Sequence, residues 1–364
     1  MGQKNTTITI VAIAAAATAL FSGASLAQIE LRAADIARWS VDVPPYPGVV
    51  YAPRDGSLVV TRSPAGSFVR IEPSSGAVLT EAIVPASIGT RSSAYVPTLA
   101  ATDLVVGGYE NRHGVRPDGT VAWSWILLGC CNVFHMPFAV DPSSGRGHLA
   151  LNGGMITADL SSGTKANDLP GTVADTFAYL SIASSDEIYA AGIGGLVTRL
   201  HPSSGRVWQA SIGASPLRPA SIAADGSIVV TSGRGHLFLN ESVPQSPDPG
   251  RLARLLPGGT VAWNHDAGAV TPPIIGGEDL VFVGTLDAIE AYDLASGASV
   301  WSHDTGSLVN DLLVGDGGLL YALVGPLSNG TLIVLDQRTG AEILRVLDVS
   351  AAWEMILQEG TLYA

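Results

Sequence analysis

Short hydrophobic runs separated by glycine and aspartate turns recur along most of the chain. Each run holds about four to six β-branched or aliphatic residues, as strands do. An acidic or glycine turn precedes such a run at Asp55-Gly56, Asp103, Asp186-Glu187, Asp225-Gly226, Glu278-Asp279 and Gly317-Gly318. Strands that are buried on both faces need not alternate, and no stretch shows a helical period. The pattern therefore predicts an all-β fold.

A turn glycine recurs with a fixed period. The turn glycines are Gly76, Gly119, Gly163, Gly205, Gly259, Gly297 and Gly340, and a tryptophan follows three or four residues later at Trp123, Trp208, Trp263 and Trp301. The spacing averages about 44 residues, which fits four short strands and is the size of one propeller blade. The sequence thus predicts a β-propeller of four-stranded blades.

Stacking is expected to hold the blades together, because one such sheet cannot bury both of its faces alone. The turn glycine supplies a positive φ at the hairpin. The tryptophan is expected to pack against the adjacent blade, with its indole N–H bonded to a backbone acceptor.

The two chain ends predict how the ring closes. Ala37 to Val41 is typical of the last strand of a unit, and Trp353 to Ala364 of the first two strands of a unit. We predict seven full units plus an eighth that N- and C-terminal strands close together. The next turn glycine would fall about 44 residues after Gly340, beyond Ala364, which predicts a truncated last unit without its third strand.

The N-terminus has the pattern of an export signal. Ile8 to Phe21 is apolar apart from two threonines, Lys4 precedes it, and Ser25-Leu26-Ala27 suits cleavage before Gln28. The run is shorter than the roughly 20 residues that span a bilayer. We predict a signal peptide at residues 1–27, a single domain at 28–364 without a membrane span, and a periplasmic or extracellular location. An uncleaved membrane anchor is the alternative.

Composition and charge predict a large core and exclude nucleic-acid binding as a function. The chain is 47% hydrophobic and 14% charged, which predicts a large core. Its formal net charge is -13, so it repels phosphate backbones and nucleic acid is excluded as a partner.

The repeat resembles that of the quinoprotein (PQQ-like) β-propellers. Tyr292 to Trp301 reads YDLASGASVW and Leu335 to Gly340 reads LDQRTG, close to the family pattern of Asp, two residues, Thr or Ser, Gly and then Trp. The resemblance implies the propeller fold. It also implies one of two functions, since the family contains cofactor-dependent dehydrogenases and non-catalytic scaffolds that bind other proteins.

Cys130 and Cys131 are adjacent and are the only cysteines. Export permits their oxidation, and a bond between neighbours would be strained and easily reduced. Gly129 to Asn132 resembles the adjacent disulfide that quinoprotein alcohol dehydrogenases hold against their cofactor. Two interpretations stay open: a cofactor-binding pair, or a structural pair that is buried or stiffens a loop.

Other candidate residues do not form a catalytic set in the sequence. The seven histidines show no metal-ligand spacing, and His135 alone is close to the cysteine pair. Asp141, Asp175 and Asn310 are candidates for a calcium–quinone site if the fold brings them together. We therefore expect a platform that binds proteins or ligands at one face, without catalysis or cofactor. The alternative is a PQQ- and calcium-dependent alcohol dehydrogenase, or a relic of one, that uses Cys130 and Cys131.

Overall fold

The structure is a computed structural model of the 364-residue chain. It describes residues 8–14, 29–32, 37–43, 49–51, 56–62, 67–83, 98–99, 104–107, 111–116, 118, 120–126, 138–141, 143–151, 154–169, 177–184, 187–192, 194–213, 218–232, 250–326, 329–349, 355–358 and 361–363.

Strands make up nearly all of the regular structure. In the first part of the chain they are β1 Ile8–Ala14, β2 Ile29–Arg32, β3 Ala37–Val43, β4 Val49–Tyr51, β5 Leu58–Arg62, β6 Ser67–Ile71, β7 Val78–Ile83, β8 Thr98–Leu99, β9 Leu104–Gly107, β10 Asn111–Val115, β11 Val121–Ile126, β12 Phe138–Asp141, β13 Arg146–Leu151, β14 Gly154–Asp159 and β15 Lys165–Leu169.

The second part continues in the same way. Its strands are β16 Phe177–Ser184, β17 Glu187–Gly192, β18 Leu196–His201, β19 Gly205–Ser211, β20 Ser221–Ile222, β21 Ile228–Ser232, β22 Arg251–Leu255, β23 Val261–Asp266, β24 Ile274–Ile275, β25 Leu280–Gly284, β26 Ala288–Asp293, β27 Ser299–Asp304, β28 Val309–Gly315, β29 Leu319–Val324, β30 Gly330–Asp336, β31 Glu342–Val349, β32 Ile356–Gln358 and β33 Thr361–Tyr363. Two 3₁₀ turns, Gly277–Asp279 and Asp316–Gly318, precede β25 and β29.

Within the described residues these strands pair into eight sheets. Sheets 1 to 6 contain β4–β7, β8–β11, β12–β15, β16–β19, β20–β23 and β24–β27; sheet 7 contains β28–β31 with β2 added beyond β31, and sheet 8 has the order β32, β33, β1, β3. The first strand of each sheet contacts the first strand of the next. The predicted all-β propeller is confirmed. The predicted number of units, seven plus one closed by both chain ends, stays a prediction.

The hydrophobic core lies between neighbouring sheets. Between sheets 6 and 7, for example, Phe282 and Ile289 of one sheet pack with Leu320 and Ile333 of the other, all of them buried. Clusters of this kind join sheets 2 to 8 in turn, as the strand pattern predicts.

The predicted export segment supplies a strand. β1 pairs antiparallel with β33 on one side, where Ile13 is opposite Leu362, and with β3 on the other, where Ile10 is opposite Val41. It thus takes the third position of sheet 8, although the sequence predicts a last unit without its third strand. No helix in the described part of the chain has the length and apolar character to cross a membrane.

Tryptophan side chains join neighbouring sheets, as predicted. Each donates its indole N–H to a backbone carbonyl of the next sheet: Trp123 to Leu160 at 2.6 Å, Trp208 to Pro257 at 2.8 Å, Trp263 to Leu294 at 2.9 Å and Trp301 to Gln337 at 2.9 Å. The same rings lie against the turn glycine of that next sheet, namely Gly163, Gly259, Gly297 and Gly340. We call this contact the Trp–Gly joint.

We expect Trp301→Phe to lower the free energy of unfolding by about 1 kcal/mol, because the variant leaves the Gln337 carbonyl without its indole donor. The adjacent Val300 is 48% exposed, so Val300→Ala should change stability by less than about 0.5 kcal/mol. Urea unfolding of the two variants checks this prediction. Equal effects would mean that the hydrogen bond contributes nothing.

Candidate binding face

The two ends of the propeller differ in what they present. Neighbouring strands in sheets 1 to 7 run antiparallel apart from the added β2, so a first strand starts at the same end where the second strand finishes. That end, which we call the connection face, carries the sheet-to-sheet connections and the loops between second and third strands. The opposite end, the hairpin face, carries the turn glycines.

A belt of polar residues, all buried except the partly buried Tyr179, lies at the connection face of sheets 4 to 7. We define this polar belt as Tyr179, Arg218, Thr231, Thr271 and Asn310. The Arg218 backbone N–H donates to the Thr231 carbonyl at 2.8 Å, and the Thr231 hydroxyl donates to the Thr271 carbonyl at 3.0 Å. These bonds connect the inner parts of sheets 5 and 6.

The belt continues on both sides. The Asn310 side chain of sheet 7 donates to the Gly325 carbonyl at 2.6 Å. On the other side the Arg218 guanidinium is hydrogen-bonded to Tyr179 of sheet 4. Hydrogen bonds therefore link the belt residues of sheets 4, 5 and 6, and Asn310 is fixed within sheet 7.

Arg218 is the unusual member of this belt. It lies three residues before β20, the first strand of sheet 5, and is 4% exposed. Burial lowers the pKa of its guanidinium, and the neighbouring Tyr179 opposes that shift. Its Nε and Nη2 atoms are buried without a hydrogen-bond partner in the structure.

A second feature of the connection face is an apolar side chain on a rigid loop. Leu286, between β25 and β26, is 52% exposed. The loop is fixed on both sides of it: the Ala288 N–H donates to Thr285 Oγ1 at 2.9 Å, and the Thr305 N–H donates to the Asp287 carbonyl at 2.8 Å. Leu286 is thus held at the surface by a loop whose conformation is set.

Two of the three candidates for a calcium–quinone site, Asp141 and Asn310, lie at opposite faces of the propeller. Asp141 ends β12 at the hairpin face, where it accepts hydrogen bonds from the Ser143 N–H at 2.9 Å and from the Ser143 and Ser144 hydroxyls. These bonds hold its pKa below the usual value, against the effect of its burial. Asn310 is near the start of β28 at the connection face. The structure does not bring the two together.

The remaining predicted site residues, Cys130, Cys131, His135 and Asp175, lie outside the described residues. Their roles stay predictions. Among the residues that the structure does describe, no three His, Cys, Asp or Glu side chains gather to hold a metal ion.

Comparison with a family model identifies the repeat. The model described as outer membrane protein assembly factor BamB, built on PQQ-type repeats, matches residues 23–303 and 248–361. This match confirms the resemblance to the PQQ-like propellers. No curated protein matches the chain.

Solved structures share the fold at low sequence identity. BamB from Moraxella catarrhalis is 14% identical with a TM-score of 0.59, covering 87% of this chain and 95% of that one. The computationally designed protein Ika8 is 12% identical with a TM-score of 0.64, covering 86% and 94%. Dihydro-heme d1 dehydrogenase NirN in complex with DHE is 13% identical with a TM-score of 0.63, covering 86% and 71%.

Proposed function

Since the chain belongs to the family of the outer membrane protein assembly factor BamB, we propose that it is a platform that binds other proteins at its connection face. An assembly factor acts on other proteins, and this role suits a rigid ring that carries loops at one end. Leu286 carries the proposal, because an exposed apolar side chain on a fixed loop is a suitable anchor for a partner.

The rigidity of the face supports this function. Binding costs less free energy when the binding surface is already ordered. The hydrogen bonds of the 285–288 loop, together with the bond from the Gly284 N–H to Thr271 Oγ1 of the polar belt, fix the chain around Leu286 before a partner arrives. A partner therefore has to order only its own side chains there.

Photocrosslinking tests the proposal with a matched control on the opposite face. A benzophenone amino acid replaces Leu286 in one variant and Leu256 in the other, because Leu256 is 38% exposed on the turn between β22 and β23 at the hairpin face. In cells that produce the full chain, position 286 should give a discrete crosslinked partner that position 256 does not. Leu286→Asp should weaken binding of that partner about tenfold, a loss of about 1.4 kcal/mol.

Two results would contradict this function. Equal crosslinking from both faces, or none from either, would remove the connection face as the binding surface. Turnover of an alcohol with an artificial electron acceptor by the purified chain, supplied with pyrroloquinoline quinone and calcium, would favour the dehydrogenase alternative that rests on Cys130 and Cys131.

We also infer that the chain is exported and works outside the cytoplasm. The signal pattern in residues 1–27 supports this inference. If the chain is exported and processed, the protein recovered from the cell envelope should have the mass of a chain that begins at Gln28. Cleavage there removes strand β1 together with the rest of residues 1–27.

The same platform, we infer, is a ring of eight blades closed by both chain ends. The contacts between first strands support it, since they run in order from β4 to β32 and return from β32 to β4. Such closure leaves no sheet face uncovered.

A further inference from the structure

We propose that Arg218 anchors a carboxylate ligand at the connection face, through the Nε and Nη2 edge of its guanidinium. This site is independent of the protein-binding role proposed above, because it is defined by the side chain's own geometry. The polar belt would then bind a ligand of defined chemistry, a carboxylate.

The free energy of burial is the first argument. Moving an ionised group out of water costs several kcal/mol unless an opposite charge or hydrogen bonds replace the lost hydration. Arg218 is 4% exposed, yet no described carboxylate pairs with it and two of its three nitrogens have no acceptor. A bound anion would supply the missing charge and both missing acceptors.

The geometry of the free edge is the second argument, and the protein contains its own reference for it. Arg338 binds Glu278 with Nε at 2.9 Å and Nη2 at 2.8 Å from the two carboxylate oxygens. Arg345 binds Glu342 with the same two nitrogens at 2.8 Å and 2.7 Å. Arg218 leaves unused the very pair of donors that these arginines use, and their planar spacing matches a carboxylate.

Charge decides which anion is favoured. Arg218 is the one charged member of the polar belt, whose other members are hydroxyl and amide side chains. One guanidinium neutralises a single negative charge, which a carboxylate carries, whereas a phosphate carries more charge. The net charge of -13 also disfavours highly charged anions.

The position of the donors affects how the ligand binds. Both nitrogens are enclosed in the structure, so neighbouring side chains have to move before a ligand reaches them. Association that needs such a change is slower than about 10⁵ M⁻¹s⁻¹, the lower end of the usual range. We therefore expect binding of acetate to be measurable at equilibrium and slow to develop.

Thermal unfolding of the full chain tests the proposal. Sodium acetate at 100 mM, compared with sodium chloride at the same ionic strength, should raise the Tm of the unsubstituted protein by about 2 °C or more. The control variant Arg206→Met removes an exposed arginine and should respond in the same way. Arg218→Met should not respond, and its Tm in chloride should lie above that of the unsubstituted protein because the unpaired charge is gone.

A conservative variant guards against a failure of Arg218→Met to fold. Arg218→Lys keeps the charge and loses the planar pair of donors, so it should fold and show less than half of the acetate response. A Tm rise with acetate that is equal in all variants, or absent from all, would overturn the proposal. A full acetate response of Arg218→Lys would overturn it as well.

Calorimetry distinguishes the two sources of a carboxylate. The probes are acetate, a penta-alanine peptide with a free C-terminal carboxylate, and the same peptide with an amidated end. Binding of acetate and the free-acid peptide, but not of the amide, supports a carboxylate site. A tighter peptide would identify the end of a polypeptide as the source, and equal affinities a small carboxylic acid. Binding of the amide as tightly as the acid would contradict the site.

Discussion

Gly340→Ala should lower the free energy of unfolding by about 3 kcal/mol, one of the two largest effects that we expect. Gly340 has a φ of +68°, where an alanine is strained, and an added Cβ would lie 2.7 Å from the ring of Trp301. The variant would therefore strain the backbone and also push the Trp301 ring away from its position in the Trp–Gly joint. Urea unfolding followed by tryptophan fluorescence measures the loss.

A second glycine separates the two contributions. Gly306 has a φ of +63°, but an added Cβ there meets no atom within 4 Å. Gly306→Ala should therefore cost only the backbone strain, about 1 kcal/mol. If both variants lost the same stability, the close approach of Trp301 would have no energetic role. In the double variant Gly340→Ala/Trp301→Leu the two losses should be less than additive, since the smaller side chain leaves room for the Cβ.

The second large effect that we expect is on pH dependence: His148 should lower the free energy of unfolding in mild acid. His148 is fully buried, its Nδ1 lies 3.0 Å from Thr157 Oγ1, and its Nε2 has no partner. Burial lowers its pKa from 6.5 to about 4, while Asp141 opposes this shift and Arg146 adds to it. In the unfolded chain the histidine binds a proton near pH 6.5, so between these two values the unfolded state binds more protons than the folded state.

The contribution of His148 to the free energy of unfolding is therefore fully present well above pH 6.5, and it is lost as the pH falls toward 4. Between pH 7 and pH 5 the loss should be about 2 kcal/mol. His148→Gln cannot titrate and should remove this part of the pH dependence, whereas His201→Gln, at the end of β18, should leave it in place. Urea unfolding at several pH values measures the slope. An unchanged slope in His148→Gln would show that other groups cause it.

The fold was predictable because its main signal repeats. A single glycine followed by tryptophan says little, but its recurrence about every 44 residues predicts both the strands and the stacking of the sheets. The indole N–H bond across the joint also followed from elementary chemistry, since a buried indole donor needs an acceptor. The partner ring for each turn glycine was not predicted, because it belongs to the preceding unit and is about 40 residues away in the sequence.

Asp141 is a predicted site residue that the structure places in a turn instead. Its sequence Asp141-Pro-Ser-Ser-Gly145 has the same form as the turn at Glu72 to Gly76, in which the Gly76 N–H likewise bonds to the backbone carbonyl of the first residue. That likeness marks Asp141 as a turn carboxylate, a signal present in the sequence. Arg218 offers no such signal, because its hydrogen-bond partner Tyr179 belongs to another sheet and comes close to it only in the folded ring.

The Trp–Gly joint has a consequence for how such a chain can grow. The units of sheets 5 and 6 each offer a tryptophan to the unit after them and a glycine to the unit before them, as subunits do in a head-to-tail cyclic oligomer. A duplicated segment of one full period from this part of the chain carries one of each. A new blade can thus be added by gene duplication without the evolution of a new interface, and the angle between neighbouring sheets then limits how many blades close the circle.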